Sequence, residues 1–153
     1  MDRICIDGFP RSGNTFSQQL LTKAFPETWI TPFTHSAKVF TKEHFVLIRE
    51  PNVAISSFMS VFRESNLESS EQWWLRFYNT VLDKTNPERW IFFEDLINKT
   101  EEAVERIGSI VGIKPIKIDY SKLSKNSALE SYPLYSFGKA QELYTKLKQK
   151  GQE

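Results

Sequence analysis

The stretch "GFPRSGNTF", residues 8 to 16, combines the features of an anion-binding turn. Gly8 and Gly13 permit close backbone approach. The N–H groups of Ser12, Gly13, Asn14 and Thr15 meet the positive end of a helix expected to follow, so a phosphate would find donors and a favourable dipole together. Thr15 adds a hydroxyl. The glycine spacing is that of a nucleoside-triphosphate loop, yet Asn14 stands where such a loop has its lysine, and the cation of the stretch is Arg11, three residues earlier. A second fork-like cation, Arg49, follows the apolar run "FVLI" and precedes Pro51, which puts it at a strand end facing a helix start. For proton transfer near neutral pH the chain offers two histidines, His35 and His44.

These residues need a frame. "RICIDGF" alternates into the glycine turn, and "TFSQQLLTKAF" places Phe16, Leu20, Leu21 and Ala24 at helical spacing. "TWITPFTH" is a second short strand broken at Pro32, and "HFVLIRE" a third whose unbroken apolar centre suits burial on both faces. Pro51 opens a helix on which Val53, Ala54, Phe58, Val61 and Phe62 continue one face; "SSEQWWLRFYNTVLDK" is the next helix, capped by Ser69 or Ser70. "RWIFFEDL" is a fourth strand, and Ala103, Val104, Ile107, Ile110 and Val111 mark a helix ended by Gly112. "KAQELYTKLKQK" is a last helix. Strands alternating with helices predict an α/β three-layer sandwich, with a central parallel sheet of about four to five strands and a P-loop-like phosphate-binding turn.

At 153 residues the chain suits a single domain, 1–153, with the polar stretch 119–131 the nearest thing to a boundary. A net charge of +1 argues against a general nucleic-acid binder, so an anion site must come from local placement. The lone Cys5, inside the first apolar run, is expected in the core and can make neither an internal disulfide nor a metal cage. With neither a signal-like leader nor a membrane-length apolar run, a cytoplasmic protein is expected.

"GFPRSGNTF" resembles the "PRSGTTW/F" or "PKSGTTW" loop of sulfotransferases that use 3′-phosphoadenosine 5′-phosphosulfate (PAPS). The resemblance implies that this loop holds the 5′-phosphosulfate, that Arg11 is the family's basic loop residue, and that Phe16 stacks on adenine. "VLIREPNVAISSF" is similar to the family's "RxPxDVAxSxx", whose Arg and Ser clasp the 3′-phosphate; Arg49 matches the Arg. This chain has one residue fewer before Val53-Ala54, with Asn52 in the acidic position. Aligning on Val53-Ala54 selects Ser56; counting from Arg49 selects Ser57. "FFEDLINKTEEAVERIGSIVGI" resembles "YEDLxxxPxxxxxxIxxFLGL", with Glu94 and Asp95 as structural residues and Phe93 replacing a tyrosine that often touches adenine. The likeness spans roughly residues 4–113 and fades beyond Tyr120. The family's late "RKGxxGxW" element has a faint echo in "SFGKAQELY", where Gly138 and Lys139 would serve.

"FTHSA" resembles the family's "KTHLP", which implies His35 as the catalytic base, with Phe33 in place of a lysine near the transferring group. His44 precedes the third strand, on the opposite edge, and is expected to be structural. Sulfuryl transfer needs a held donor, positive charge on the leaving phosphate and a base, and no metal. The reading is a PAPS-dependent sulfotransferase, with 3′-phosphoadenosine 5′-phosphate (PAP) as product, acting on a hydroxyl or amine of a sugar, lipid, peptide or small alcohol. Two alternatives stay open. One is a P-loop kinase or nucleoside-triphosphatase using Mg-ATP, with Asp95 as a metal ligand; the other is a non-catalytic PAP-binding module.

Overall fold

A computed structural model describes residues 2–62, 66–123 and 132–152. The stretch 119–131 expected as a boundary lies outside the described residues from 124 onward. Among the described residues five short strands form: β1 (Arg3–Ile4), β2 (Ile6–Gly8), β3 (Trp29–Ile30), β4 (Phe45–Ile48) and β5 (Trp90–Phe92). Six α-helices accompany them among the same residues: α1 (Asn14–Ala24), α2 (Pro51–Val61), α3 (Leu67–Lys84), α4 (Phe93–Asn98), α5 (Thr100–Val111) and α6 (Gly138–Gly151). The class is α/β, and every strand pair is parallel.

One central sheet of four to five strands is not what the pairings give. β1 pairs with β3 in a two-stranded sheet, and β2, β4 and β5 form a three-stranded one in the order β2-β4-β5. The division has a local cause. Pro32 has no N–H with which to extend β3, and the Ile6 N–H turns instead to the Thr31 hydroxyl at 3.2 Å. Cys5, between β1 and β2, is buried as expected and accepts the Phe45 N–H at 2.7 Å.

The apolar residues of β4 divide by parity. Val46 and Ile48 join one core cluster with Phe9, Trp74, Phe77, Tyr78, Trp90 and Phe92; Phe45 and Leu47 join another with Ile4, Ile6, Phe16, Leu20, Leu21 and Ile91. Successive side chains of a strand point to opposite faces, so helices α3 and α6 feed the first cluster and α1 and α5 the second. Fully burying one such aliphatic side chain contributes about 1.5–3 kcal/mol, which is why β4 tolerates no polar residue.

Helix ends differ from expectation in two places. α3 starts earlier than Ser69 or Ser70 because Asn66 caps it, its side chain accepting the Ser69 N–H at 2.8 Å. "RWIFFEDL" is a strand only to Phe92, after which α4 begins. Glu50 caps α2 through Asn52 N–H and Val53 N–H at 2.8 and 3.1 Å, with Pro51 in the first turn, and Gly112 ends α5 at φ 76°. Ala54 and Phe58 are buried as expected, whereas Val61 and Phe62 are about half exposed, because the end of α2 runs beyond the core. Among the described residues no helix is long and apolar enough to cross a membrane.

Candidate functional site

Parallel pairing brings the carboxyl ends of β2, β4 and β5 to one edge, so the turn after Gly8, Arg49 and Phe93 meet there. Gly8 has to be glycine: a Cβ would lie 2.8 Å from both Cβ and the carbonyl oxygen of Leu47. The turn then runs through two left-handed residues, Arg11 at φ 68° and Gly13 at φ 92°, before α1. That conformation is rare for a residue with a side chain and persists only where surroundings enforce it. Here they do. Arg49 Nη1 donates to the Arg11 carbonyl at 2.9 Å, and Arg11 Nε donates to the Ser57 hydroxyl at 3.0 Å.

Asn14, in the place of a triphosphate loop's lysine, turns back on the loop. Its Nδ2 donates to the carbonyls of Phe9 and Gly8, at 3.1 and 3.4 Å. Gly13 provides no side-chain cap, so the first N–H groups of α1 are left for another acceptor. A cleft of about 230 Å³ opens over them, lined by Arg11, Gly13, Asn14, Thr15 and His35, with apolar walls from Phe33, Val61 and Phe62.

His35 is fixed by a residue that pattern reading passed over. Asp7, buried in β2, accepts four hydrogen bonds: Gly8 N–H at 2.8 Å and His35 N–H at 3.2 Å on Oδ1, Thr34 N–H at 2.6 Å and Thr34 Oγ1–H at 2.7 Å on Oδ2. The signal was a carboxylate at a strand end beside the glycine turn. The His35 backbone is left-handed, at φ 58°. Its Nδ1 lies 2.9 Å from the Gly8 carbonyl, which can only accept, so Nδ1 carries the hydrogen and Nε2 of the neutral ring keeps its lone pair. Phe33 packs against this ring, centroids 5.0 Å apart. Tyr78 of α3 is a second overlooked brace, accepting from Phe9 N–H and donating to the Leu47 carbonyl at 2.7 Å.

Arg49 is 6% exposed, and burial pulls its pKa down from the usual guanidinium value. Its guanidinium lies 4.1 Å from the centre of the Phe93 ring and, among the described residues, within ion-pair distance of no carboxylate. Neither Arg49 nor the two serines line the cleft. Ser57 is bonded to Arg11, and Ser56 accepts the Tyr135 N–H at 3.0 Å. Ser12 is fully buried and also stays out of the cleft. Phe16, expected as a stacking surface, packs in the core and shows the cleft only its residual exposure.

Gly138 and Lys139 are exposed in the first turn of α6. The Phe137 N–H bonds the Asn52 side chain at 2.9 Å and brings that turn beside the start of α2. Among the described residues Lys139 makes no ion pair with the site. His44 sits before β4 as expected, accepting the Thr41 N–H at 3.0 Å on Nδ1 and stacked on Phe40. Asp95 lies on α4 and lines a separate groove with Lys99, Glu102 and Arg106, away from the cleft. Comparison of the chain with protein-family models, with curated proteins and with solved structures gives no match.

Proposed function

We propose that the chain is a PAPS-dependent sulfotransferase with His35 as general base, its two small sheets acting as one central layer of a three-layer α/β sandwich with a P-loop-like turn. The observation that carries the reading is the shared cleft: His35, Arg11 and the uncapped start of α1 all line it. Arg49, a buried cation that among the described residues lies within ion-pair distance of no carboxylate, supports it as a seat for the 3′-phosphate, since a bound anion would offset the desolvation of that charge.

In this reading α1's N–H groups and Thr15 hold the 5′-phosphosulfate. His35 Nε2 takes the proton of the acceptor hydroxyl as the acceptor oxygen bonds to sulfur. The sulfur–oxygen bond to the 5′-phosphate breaks, and its electron pair stays on the phosphate oxygen, where Arg11 offsets the growing charge.

The test is nucleotide preference followed by transfer. PAP without Mg²⁺ should raise the melting temperature more than Mg-ATP does; a ligand at a hundred times its dissociation constant adds about 2.7 kcal/mol. Labelled sulfate should then pass from PAPS to an alcohol or phenol. Equal shifts with Mg-ATP favour the kinase reading, and tight PAP binding without transfer to any acceptor favours the non-catalytic module, which Phe33 in place of a cation would suit.

A further inference from the structure

His35 lines two clefts. The second, about 300 Å³, is walled by Lys38, Trp73, Arg76, Phe77 and Thr80 and shares no other lining residue with the first. We propose that this second cleft is the acceptor subsite and that it takes an anionic acceptor, a hydroxyl-bearing ring carrying a carboxylate or sulfate; the acceptor role rests on the sulfuryl-transfer reading above, the anion site does not.

The charges point this way. Lys38 and Arg76 bring two positive groups to one concavity whose lining has no carboxylate. Neither forms an ion pair among the described residues. Lys84 Nζ, about two turns beyond Arg76 on α3, donates to the Lys38 carbonyl at 2.7 Å and brings a third positive charge beside Lys38. Lys38 and Arg76 are both solvent-exposed, and like charges gathered at one concavity repel one another and set up a field that favours an anion. A neutral acceptor would give them nothing to do.

The shape adds a ring. Trp73, Arg76, Phe77 and Thr80 stand at i, i+3, i+4 and i+7 and so form one stripe of α3. Trp73 is 37% exposed, yet its ring is held edge-on by Phe9 and Phe58, at centroid distances of 5.3 and 5.0 Å. An aromatic already fixed by its neighbours loses little freedom when a ligand ring packs on it. The volume is at the small end for ligand sites and suits about one ring with its substituents. A base that takes a proton from the acceptor and faces the donor must touch both, and His35 lines both clefts.

The experiment uses two probes that differ at one carbon: phenyl glucuronide, which carries a carboxylate, and phenyl glucoside, which carries a hydroxymethyl group. Binding is measured by calorimetry, with His35 ring resonances followed by NMR, for the parent chain, Arg76→Glu and Lys38→Glu; PAP binding is measured on the same samples. The glucuronide should bind at least about tenfold more tightly, move the His35 resonances, and lose its advantage in both variants, which keep PAP binding. Equal affinity for the probes, no detectable binding of either, or a preference that survives both charge reversals overturns the subsite. Failure of the parent chain to bind PAP overturns the sulfuryl-transfer reading and the acceptor role with it, while the glucuronide preference and its loss on charge reversal would still establish the anion site.

Discussion

The Arg49 guanidinium lies 4.1 Å from the centre of the Phe93 ring, and a Cβ added to Gly13 would meet the same ring at 3.1 Å. One aromatic ring therefore packs against both the buried cation and the turn that opens α1. A cation–π contact, a hydrogen bond to the Arg11 carbonyl and the charges of Glu94 and Glu50 only partly offset the desolvation of the guanidinium, whose pKa is lowered by burial.

Arg49→Met should consequently cost the protein alone little. It removes the hydrogen bond and ring contact but also the buried charge, so stability should stay within about 1 kcal/mol of the parent by urea titration. PAP-induced stabilisation should disappear. A variant that unfolds readily, or one that still responds fully to PAP, would assign Arg49 to the scaffold alone.

Asp7→Asn tests the brace under His35. The substitution keeps the shape but replaces an acceptor with a donor where N–H and O–H groups converge, so at least one contact becomes donor against donor. Hydrogen bonds to charged groups contribute about 1.5–3 kcal/mol each, and a loss of that size is expected in thermal melting. Turnover should fall further than PAP affinity, because the residue loosened is the proposed base.

How far these residues were legible depended on whether their role was local. The glycine turn, Arg49 at the end of an apolar run and the start of α2 at Pro51 follow from neighbouring residues alone. Asp7 did not stand out, because a single acid in an alternating strand reads as a surface position until the chain returns at Thr34 with the donors it accepts. Phe93 looked like strand because aromatic residues favour sheets, but β5 runs out of partner beyond Ile48 and the chain turns into α4. Val61 and Phe62 fit the apolar period of α2; what periodicity does not record is where the core stops. Lys38 and Arg76 are 38 positions apart and become one site only after α3 packs beside the turn that follows His35.

The two serines separate by partner. Ser57 holds Arg11 Nε and Ser56 holds the Tyr135 N–H. Ser57→Ala removes one hydrogen bond from the cation proposed to face the leaving group, so kcat should fall roughly five- to tenfold, about 1–1.4 kcal/mol, with PAP affinity less affected. Ser56→Ala should act on the 132–137 segment instead, and hydrogen exchange at Tyr135 should quicken without a comparable loss of kcat. An interchange of these effects would reassign the serines.

His44 gives the fold a pH dependence of known sign. Burial lowers its pKa and outweighs the opposing charge of Asp7, so the unfolded chain binds the proton more tightly. This contribution to stability is complete above the unfolded value of about 6.5 and is lost as the pH falls from there through the lower folded value. Protonation also ends acceptance of the Thr41 N–H by Nδ1. Between about pH 7 and 5 the melting temperature of His44→Gln should fall less steeply than that of the parent; parallel slopes would place the titration elsewhere.

His35→Asn separates catalysis from architecture better than alanine does. The position has φ 58°, which asparagine tolerates far better than most residues with a side chain. The asparagine Nδ2 falls near the place of the imidazole Nδ1 and can keep the hydrogen bond to the Gly8 carbonyl, while the backbone N–H still reaches Asp7. What is lost is Nε2. The variant should fold, melt close to the parent and bind PAP with nearly unchanged affinity, yet transfer sulfate about a hundredfold or more slowly, the usual scale for a missing general base. Arg11→Ala should differ by weakening donor binding as well as turnover, because a cation against the phosphate oxygens acts in the ground state and more strongly as charge builds on the leaving group. Full transfer by His35→Asn would move the base elsewhere. A loss of PAP affinity matching the loss of rate would make His35 a donor ligand whose second cleft has no part in the reaction.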